Sequence, residues 1–313
     1  MEFRTLGRTG LKVSVMGIGT GGPSNFGQST GVPEKDVIRM VHRAIDLGIN
    51  FFDTSAAYRE SEVILGRALR NVGREKVVLA TKFHAAPDSI VISPEEVIAS
   101  VDRSLKRLDV ETIDIMQFHG VDPGDYRRIM DAHMPTVIKL NEQGKFRFLG
   151  ISETYSRDPR HDMFAMALKD DMFDSAMVGY SMISPTAKKA VLPECLNKNV
   201  GVICMVAVRR ALSKPDILMQ RISDAKKRGL IARDSVPDED PLGWLLRDHV
   251  KSLPSAGYKF AAAHPAIGTV LTGTANIEHL EANVAAILGP PLPSEDMIRL
   301  NSVFGEVWEP LGN

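Results

Sequence analysis

The sequence predicts an α/β fold in which eight parallel strands close into a (β/α)8 TIM barrel. Short apolar runs bounded by glycines and turn residues alternate eight times with amphipathic stretches of helical period, the order of a parallel sheet joined by helical crossovers. The rival is an open doubly wound sheet. A chain of 313 residues is long enough for two domains, yet eight such units commonly close as one. A single domain over residues 1–313 is therefore expected.

Before the barrel, Glu2 to Thr5 and Leu11 to Val13 alternate in character around Gly7 and Gly10, which predicts an N-terminal β-hairpin within residues 1–14. The first barrel strand is Val15 to Thr20, running into Gly21 and Gly22, where a backbone can pass close to another group. Pro33 then opens a helix with Val37, Ile38, Val41, Ala44 and Ile45 on one face, and Gly48 ends it. The second strand ends at Asn50 to Phe52, and the helix after it covers Glu60 to Asn71. Strands at Val77 to Thr81, Ile113 to Phe118 and Phe146 to Ile151 are separated by helices at Pro94 to Leu108 and His133 to Gln143. Helices at Asp162 to Lys169 and Thr186 to Asn197 lead into strands at Ser175 to Val178 and Val202 to Val206. A last strand at Thr269 to Leu271 precedes a helix at Ile277 to Ile287. One segment breaks the rhythm, a long insertion after strand seven at 208–254, with helical pieces at Ile217 to Arg228 and Leu242 to Lys251. At the catalytic end of a barrel such a loop is expected to act as a lid or ligand clasp.

Composition narrows the function. Apolar residues make up 44% and charged residues 25%, as in a globular domain, and the net charge of −1 with no long basic run excludes a nucleic-acid groove or an anionic membrane surface. The N-terminus lacks a signal-peptide pattern and no apolar run is long enough to span a bilayer, so a cytoplasmic protein acting on a small molecule is expected. Cys195 and Cys204 fit neither a redox pair nor a zinc cluster and read as buried thiols; the eight histidines show no ligand spacing, so no metal is expected.

Residues at the carboxyl ends of barrel strands share one face, and that face carries the chemistry. Strand two ends in Asp53 with Tyr58 on the loop beyond, strand three in Lys82, strand four in His119. Singly, each has an ordinary explanation: a carboxylate serving turn amides, a surface phenol, a salt-bridged lysine, a hydrogen-bonded histidine. Together they make an acid. A neighbouring ammonium eases proton release from a phenol, Asp53 would keep Lys82 charged and in place, and His119 could donate to a carbonyl oxygen as charge develops there. No activated Ser or Cys supplies an attacking group, so an external hydride donor fits the gap. A Schiff-base role for Lys82 is the alternative, but leaves Asp53 and Tyr58 without work.

These residues lie in stretches that resemble the aldo-keto reductase family over nearly the whole chain: LGRTGLKVSVMGIGTGG, GINFFDTSAAYRESEVILGRAL, VLATKFH, ETIDIMQFHGVD, GKFRFLGISE and GTANIEHLEANV, in order. The resemblance implies a barrel with an N-terminal hairpin over its base and reduction of aldehydes or ketones to alcohols by NADPH or NADH. By position it makes Tyr58 the proton donor, Lys82 and Asp53 its tuning pair, and His119 the residue that orients the carbonyl. Ser152 matches a contact to the nicotinamide carboxamide. Glu153 stands where Asn is frequent and Met177 where Gln is common, and a thioether cannot replace the paired hydrogen bonds of an amide. Gly19 and Thr20 at the end of strand one and Tyr180 after strand six complete that wall. After strand seven the chain lacks the aromatic that the family often stacks on the ring; Arg209 and Arg210 stand there, to contact the pyrophosphate or as a solvated basic turn. Gly273 and Thr274 precede a helix whose N-terminus could receive phosphate. By the resemblance Asn283 matches an adenine contact, and His279 stands where some relatives carry Arg for the 2′-phosphate. NADP(H) is the favoured cofactor and NAD(H) the other one possible. The competing expectation is a nucleotide-sensing barrel that holds the cofactor with little turnover. Pocket walls are expected from the glycine-rich loop after strand one, the loop near Val121 to Arg128, and the insertion.

Overall fold

The computed structural model describes residues 1–312. β1 (Phe3–Thr5) and β2 (Lys12–Ser14) form an antiparallel hairpin. Eight parallel strands follow: β3 (Met16–Gly19), β4 (Phe51–Asp53), β5 (Val78–Phe83), β6 (Ile113–Val121), β7 (Phe146–Glu153), β8 (Ser175–Gly179), β9 (Gly201–Met205) and β10 (Ile267–Thr272). Each pairs with its successor and β10 returns to β3, closing the (β/α)8 barrel.

The crossovers are helices α1 (Glu34–Asp46), α2 (Ser61–Leu69), α3 (Pro94–Leu108), α4 (Tyr126–Glu142) and α5 (Asp162–Asp170), then the short pair α6 (Ala187–Ala190) and α7 (Leu192–Asn197). After β9 come α8 (Arg210–Ser213), α9 (Pro215–Lys227) and α10 (Leu253–Ala262); α11 (Ile277–Leu288) and α12 (Ser294–Phe304) follow β10. Among the described residues no helix is long and apolar enough to cross a membrane.

Successive strand side chains point to opposite faces of a sheet, and this period of two sorts the residues. Phe51 of β4, Val78 and Ala80 of β5 and Ile115 of β6 fill the barrel interior, while Phe52, Leu79 and Met116 pack outward against helices. Extending the inward rows to the strand ends delivers Asp53, Lys82, Gln117 and His119 inside the same mouth.

Several elements depart from expectation for physical reasons. α4 begins at Tyr126, seven residues before His133, and runs through Pro135, which resembles a start signal yet lies in its interior. The expected helix at Thr186 to Asn197 splits into α6 and α7, with Pro193 in the first turn of the second. In the insertion, Leu242 to Lys251 is no helix; a single 3-10 turn at Gly243–Leu245 precedes α10, whose N-cap is the Ser252 hydroxyl accepting from the Ser255 amide. Every residue of α10 from Ser255 to Ala262 is buried, so it has no solvent stripe and no amphipathic signature.

At the opposite end from Asp53, the hairpin closes the barrel. Leu6 is fully buried where Gly201 and Gly268 leave room for it: a Cβ at Gly201 would lie 2.6 Å from its Cγ, and one at Gly268 2.7 Å from its Cδ1. Arg4 Nη1 adds hydrogen bonds of 2.9 Å to the carbonyls of Ala262 and Ile267. Truncating Leu6 leaves a hole the glycine backbones cannot fill. Leu6→Ala is expected to lower the unfolding free energy by about 2–5 kcal/mol in urea denaturation, and a loss under ~1 kcal/mol would show that the hairpin does not clamp the base.

Candidate active site

The expected carboxylate and lysine meet inside the barrel mouth. Lys82 Nζ donates to Asp53 Oδ2 at 2.6 Å and to the Thr54 carbonyl at 2.6 Å, and Gln117 Nε2 donates to Asp53 Oδ1 at 3.1 Å. Lys82 is 1% exposed and Asp53 3%. Burial works against the charge on Lys82, but Asp53, with Tyr58 and Glu62 adding, reverses this and holds the ammonium above its ordinary value. Burial also pushes the Asp53 carboxyl up, against the opposing pull of Lys82 and Gln117. The pair is an internal ion pair with its hydrogen bonds satisfied, and a lysine so engaged is no free amine nucleophile.

Tyr58 lies over this pair on the loop between β4 and α2, with Lys82 Nζ 5.1 Å from its ring centroid. Its hydroxyl is 3.3 Å from His119 Nε2, and the two rings meet edge to face at 5.4 Å. Gly21 makes room for the phenol, since a Cβ there would lie 2.6 Å from the ring. Burial, then the Lys82 charge, then His84 push the His119 pKa well below its ordinary value of 6.5, so its imidazole is neutral at physiological pH.

A neutral imidazole donates from one nitrogen only, and Ser55 decides which. Its hydroxyl lies 3.0 Å from His119 Nδ1 and already accepts from the Ala57 amide at 3.2 Å; its other acceptor, the Lys82 carbonyl, is at 3.4 Å. The shorter donation to Nδ1 leaves the proton on Nε2, facing Tyr58 and the cavity.

A cavity of ≈ 380 Å³ opens above these groups and is lined by Tyr58, Lys82 and His119 together with Ser152, Glu153, Met177 and Arg209. Its remaining walls come from within residues 84–89 and 152–157, with Gly120, Met205 and Val206, and not from the glycine-rich loop or the 121–128 loop; of the insertion only Arg209 takes part. Ser152 Oγ accepts from the Gly120 amide at 2.8 Å and bonds the Phe118 carbonyl at 3.3 Å. Both Glu153 oxygens are engaged internally, Oε1 by the Gly179 amide and Oε2 by His161 Nδ1, each at 2.7 Å. Glu153 therefore braces the wall of β7 and β8, and burial raises its pKa against those two hydrogen bonds.

Arg209 fits an anionic group. Burial lowers its pKa against the smaller pull of Tyr58, and its Nε is buried with no hydrogen-bond partner among the described residues. Its Nη1 would come within 3.8 Å of a Cβ at Gly22, which has a positive φ of 77°.

The other expected cofactor residues do not line this cavity. Thr20 is fully buried and its hydroxyl donates to Thr54; Gly19 lies behind it against Leu271. Tyr180, expected on the cofactor wall, is buried against Phe260 and His264. Arg210 is exposed at the start of α8. Gly273, Thr274, His279 and Asn283 cluster apart, after β10 and along the first turns of α11, where Asn276 caps the His279 amide and Asn283 Nδ2 donates to Thr272. Ser55, His84 and Gln117 were not singled out from sequence. Each lies two residues from one that was (Asp53, Lys82, His119), the spacing that keeps a strand residue on the same face.

The sequence matches the model of the Aldo/keto reductase family over residues 16–304. The chain is 31% identical to the L-galactose dehydrogenase of Arabidopsis thaliana over 335 aligned positions, covering 100% of this chain and 96% of that protein. The fold matches the holo form of an aldo-keto reductase of Bacillus halodurans with a TM-score of 0.70 at 25% identity, over 96% of this chain and 95% of that one.

Because the folded His119 stays neutral while the unfolded chain takes up a proton below pH 6.5, this residue subtracts stability as pH falls through that value and contributes nothing above it. Nitrogen-15 NMR of the imidazole is expected to show a single Nε2–H tautomer with no titration between about pH 6.5 and 8, and Ser55→Ala to populate the Nδ1–H form. A titration near 6.5 would contradict the geometry.

Proposed function

The chain belongs to the aldo/keto reductase family, and on that premise we propose that it interconverts a carbonyl compound and its alcohol with a nicotinamide dinucleotide. Membership makes it an oxidoreductase. The observation that carries the specific reading is the contact of Tyr58 and His119 above the buried Lys82–Asp53 pair.

When bound, the reduced nicotinamide supplies a hydride to the carbonyl carbon. The Tyr58 hydroxyl and the Nε2–H of His119 bond the carbonyl oxygen from two sides. As the carbonyl π electrons move onto that oxygen, Tyr58 transfers its proton to it, and the Lys82 ammonium offsets the charge left on the phenolate. Asp53 keeps the ammonium in position. In the oxidative direction Tyr58 takes the proton back. The name of the plant relative, a dehydrogenase acting on L-galactose, supports reading the site as reversible and its substrates as hydroxylated.

Ser152 and Met177 would flank the nicotinamide, and Arg209 would meet a phosphate. The first turn of α11, with His279 exposed, would take the adenosine end. NADP(H) is the favoured dinucleotide in this reading and NAD(H) the other, because the exposed His279 imidazole on the first turn of α11 would suit a 2′-phosphate there.

Tyr58→Phe keeps the ring and removes the acid. It is expected to lower kcat for aldehyde reduction by about 10²–10⁴-fold while the dissociation constant of NADPH, from fluorescence titration, stays within a few-fold. Wild-type protein that binds NADPH but consumes none across an aldehyde panel would favour the nucleotide-sensing reading. A borohydride-trapped adduct on Lys82 would favour amine catalysis.

A further inference from the structure

Beyond the four residues of the proposed mechanism, the cavity holds a second imidazole. His84 follows Lys82 by two positions at the end of β5, and its ring centroid lies 5.0 Å from that of His119 with the planes inclined at 69°. The residue is half-buried and lines the same cavity. Its Nδ1 is buried and has no hydrogen-bond partner among the described residues.

That orphaned nitrogen fixes what His84 presents. A buried N–H without a partner is rarer than a buried acceptor without one, so the ring proton belongs on Nε2. Burial, then the nearby Arg157, lower the pKa of His84, against the smaller pull of Asp88 and Asp122, so the ring is neutral. Two neutral imidazoles about 5 Å apart thus share one pocket. His119 is committed by Ser55 and Tyr58 to the reacting oxygen, and His84 has no work in that reaction.

Two oxygens on adjacent carbons are separated by roughly one hydrogen-bond length, about 3 Å, which suits one imidazole on each. We propose that His84 binds the hydroxyl on the carbon next to the reacting one, so that this site acts on 2-hydroxy carbonyl compounds and the corresponding vicinal diols. This rests on the carbonyl oxygen lying between Tyr58 and His119, as in the proposed function. The wall beyond His84 is consistent with further hydroxyls, being built from Asp88, Ser89, Ser156 and Arg157. A pocket for an unsubstituted aldehyde would gain nothing from an unsatisfied imidazole at that point, because a polar group left unpaired when substrate excludes water opposes binding.

The test compares lactaldehyde with propanal, which differ by the one hydroxyl, using the reduced dinucleotide and the full chain. Wild type is expected to favour lactaldehyde by about tenfold or more in kcat/KM, the scale of one lost hydrogen bond at a buried partner. His84→Phe should bring that ratio close to one by lowering activity on lactaldehyde while leaving propanal within a few-fold, and His84→Gln should restore part of the preference. A wild-type ratio near one, or a ratio unchanged in His84→Phe, would overturn the assignment. Failure to reduce either aldehyde, or any other in a panel, would instead remove the reductase reading on which it rests.

Discussion

The structure turns on one buried contact, the ammonium of Lys82 held by the carboxylate of Asp53 inside the barrel mouth. An ion taken from water into a protein interior loses several kcal/mol of hydration, and only close geometry with further hydrogen bonds recovers it. The second bond of Lys82 to the Thr54 carbonyl and that of Gln117 to Asp53 supply this, and register makes them possible: Asp53 of β4 pairs with Ala80 of β5, and Lys82 with Gln117 of β6. Three adjacent strands must be aligned for the charge to exist. The barrel is in this sense the precondition of the chemistry, and the Leu6 plug at its far end serves the same alignment.

The site also divides its labour between charge and neutrality. Lys82 is kept charged by a carboxylate, whereas His119 and His84 are kept neutral by burial and by the cations near them. A protonated His119 would repel Lys82 and lose its acceptor bond from Ser55. Neutral, it can be oriented, and Ser55 orients it. Electrostatic catalysis of this kind depends on groups fixed before substrate arrives, so the residues behind the reacting groups matter as much as those that touch substrate.

Much of this was legible in the chain because parallel barrels obey two simple periods. The alternation of strands and helices placed the strand ends carrying Asp53, Lys82 and His119 on one face, and helical spacing located α1, α2, α3, α5, α9 and α11. Where the periods failed, so did the reading. α10 is buried on every side and has no stripe to detect, α12 follows the last barrel strand and needs no alternation, and Pro135 inside α4 resembled a beginning. The expected cofactor wall was harder to read: Tyr180 follows β8 on a loop, whose direction no period encodes, and packs into the core, while Glu153, the last residue of β7, spends both oxygens on its own scaffold. Of the cavity walls, Ser152 and Glu153 were expected, whereas residues 84–89 and 154–157 lie on loops and were not, although His84 follows the strand spacing by one further step.

The central claim is that the buried ammonium acts on the chemical step and not on cofactor binding. Single-turnover reduction by Lys82→Met, with the dinucleotide already bound and excess aldehyde, measures that step directly. The account expects the rate to fall by about 10²-fold or more relative to wild type, with the dinucleotide dissociation constant changed by no more than a few-fold. A single-turnover rate close to wild type, or a loss confined to dinucleotide affinity, would contradict it.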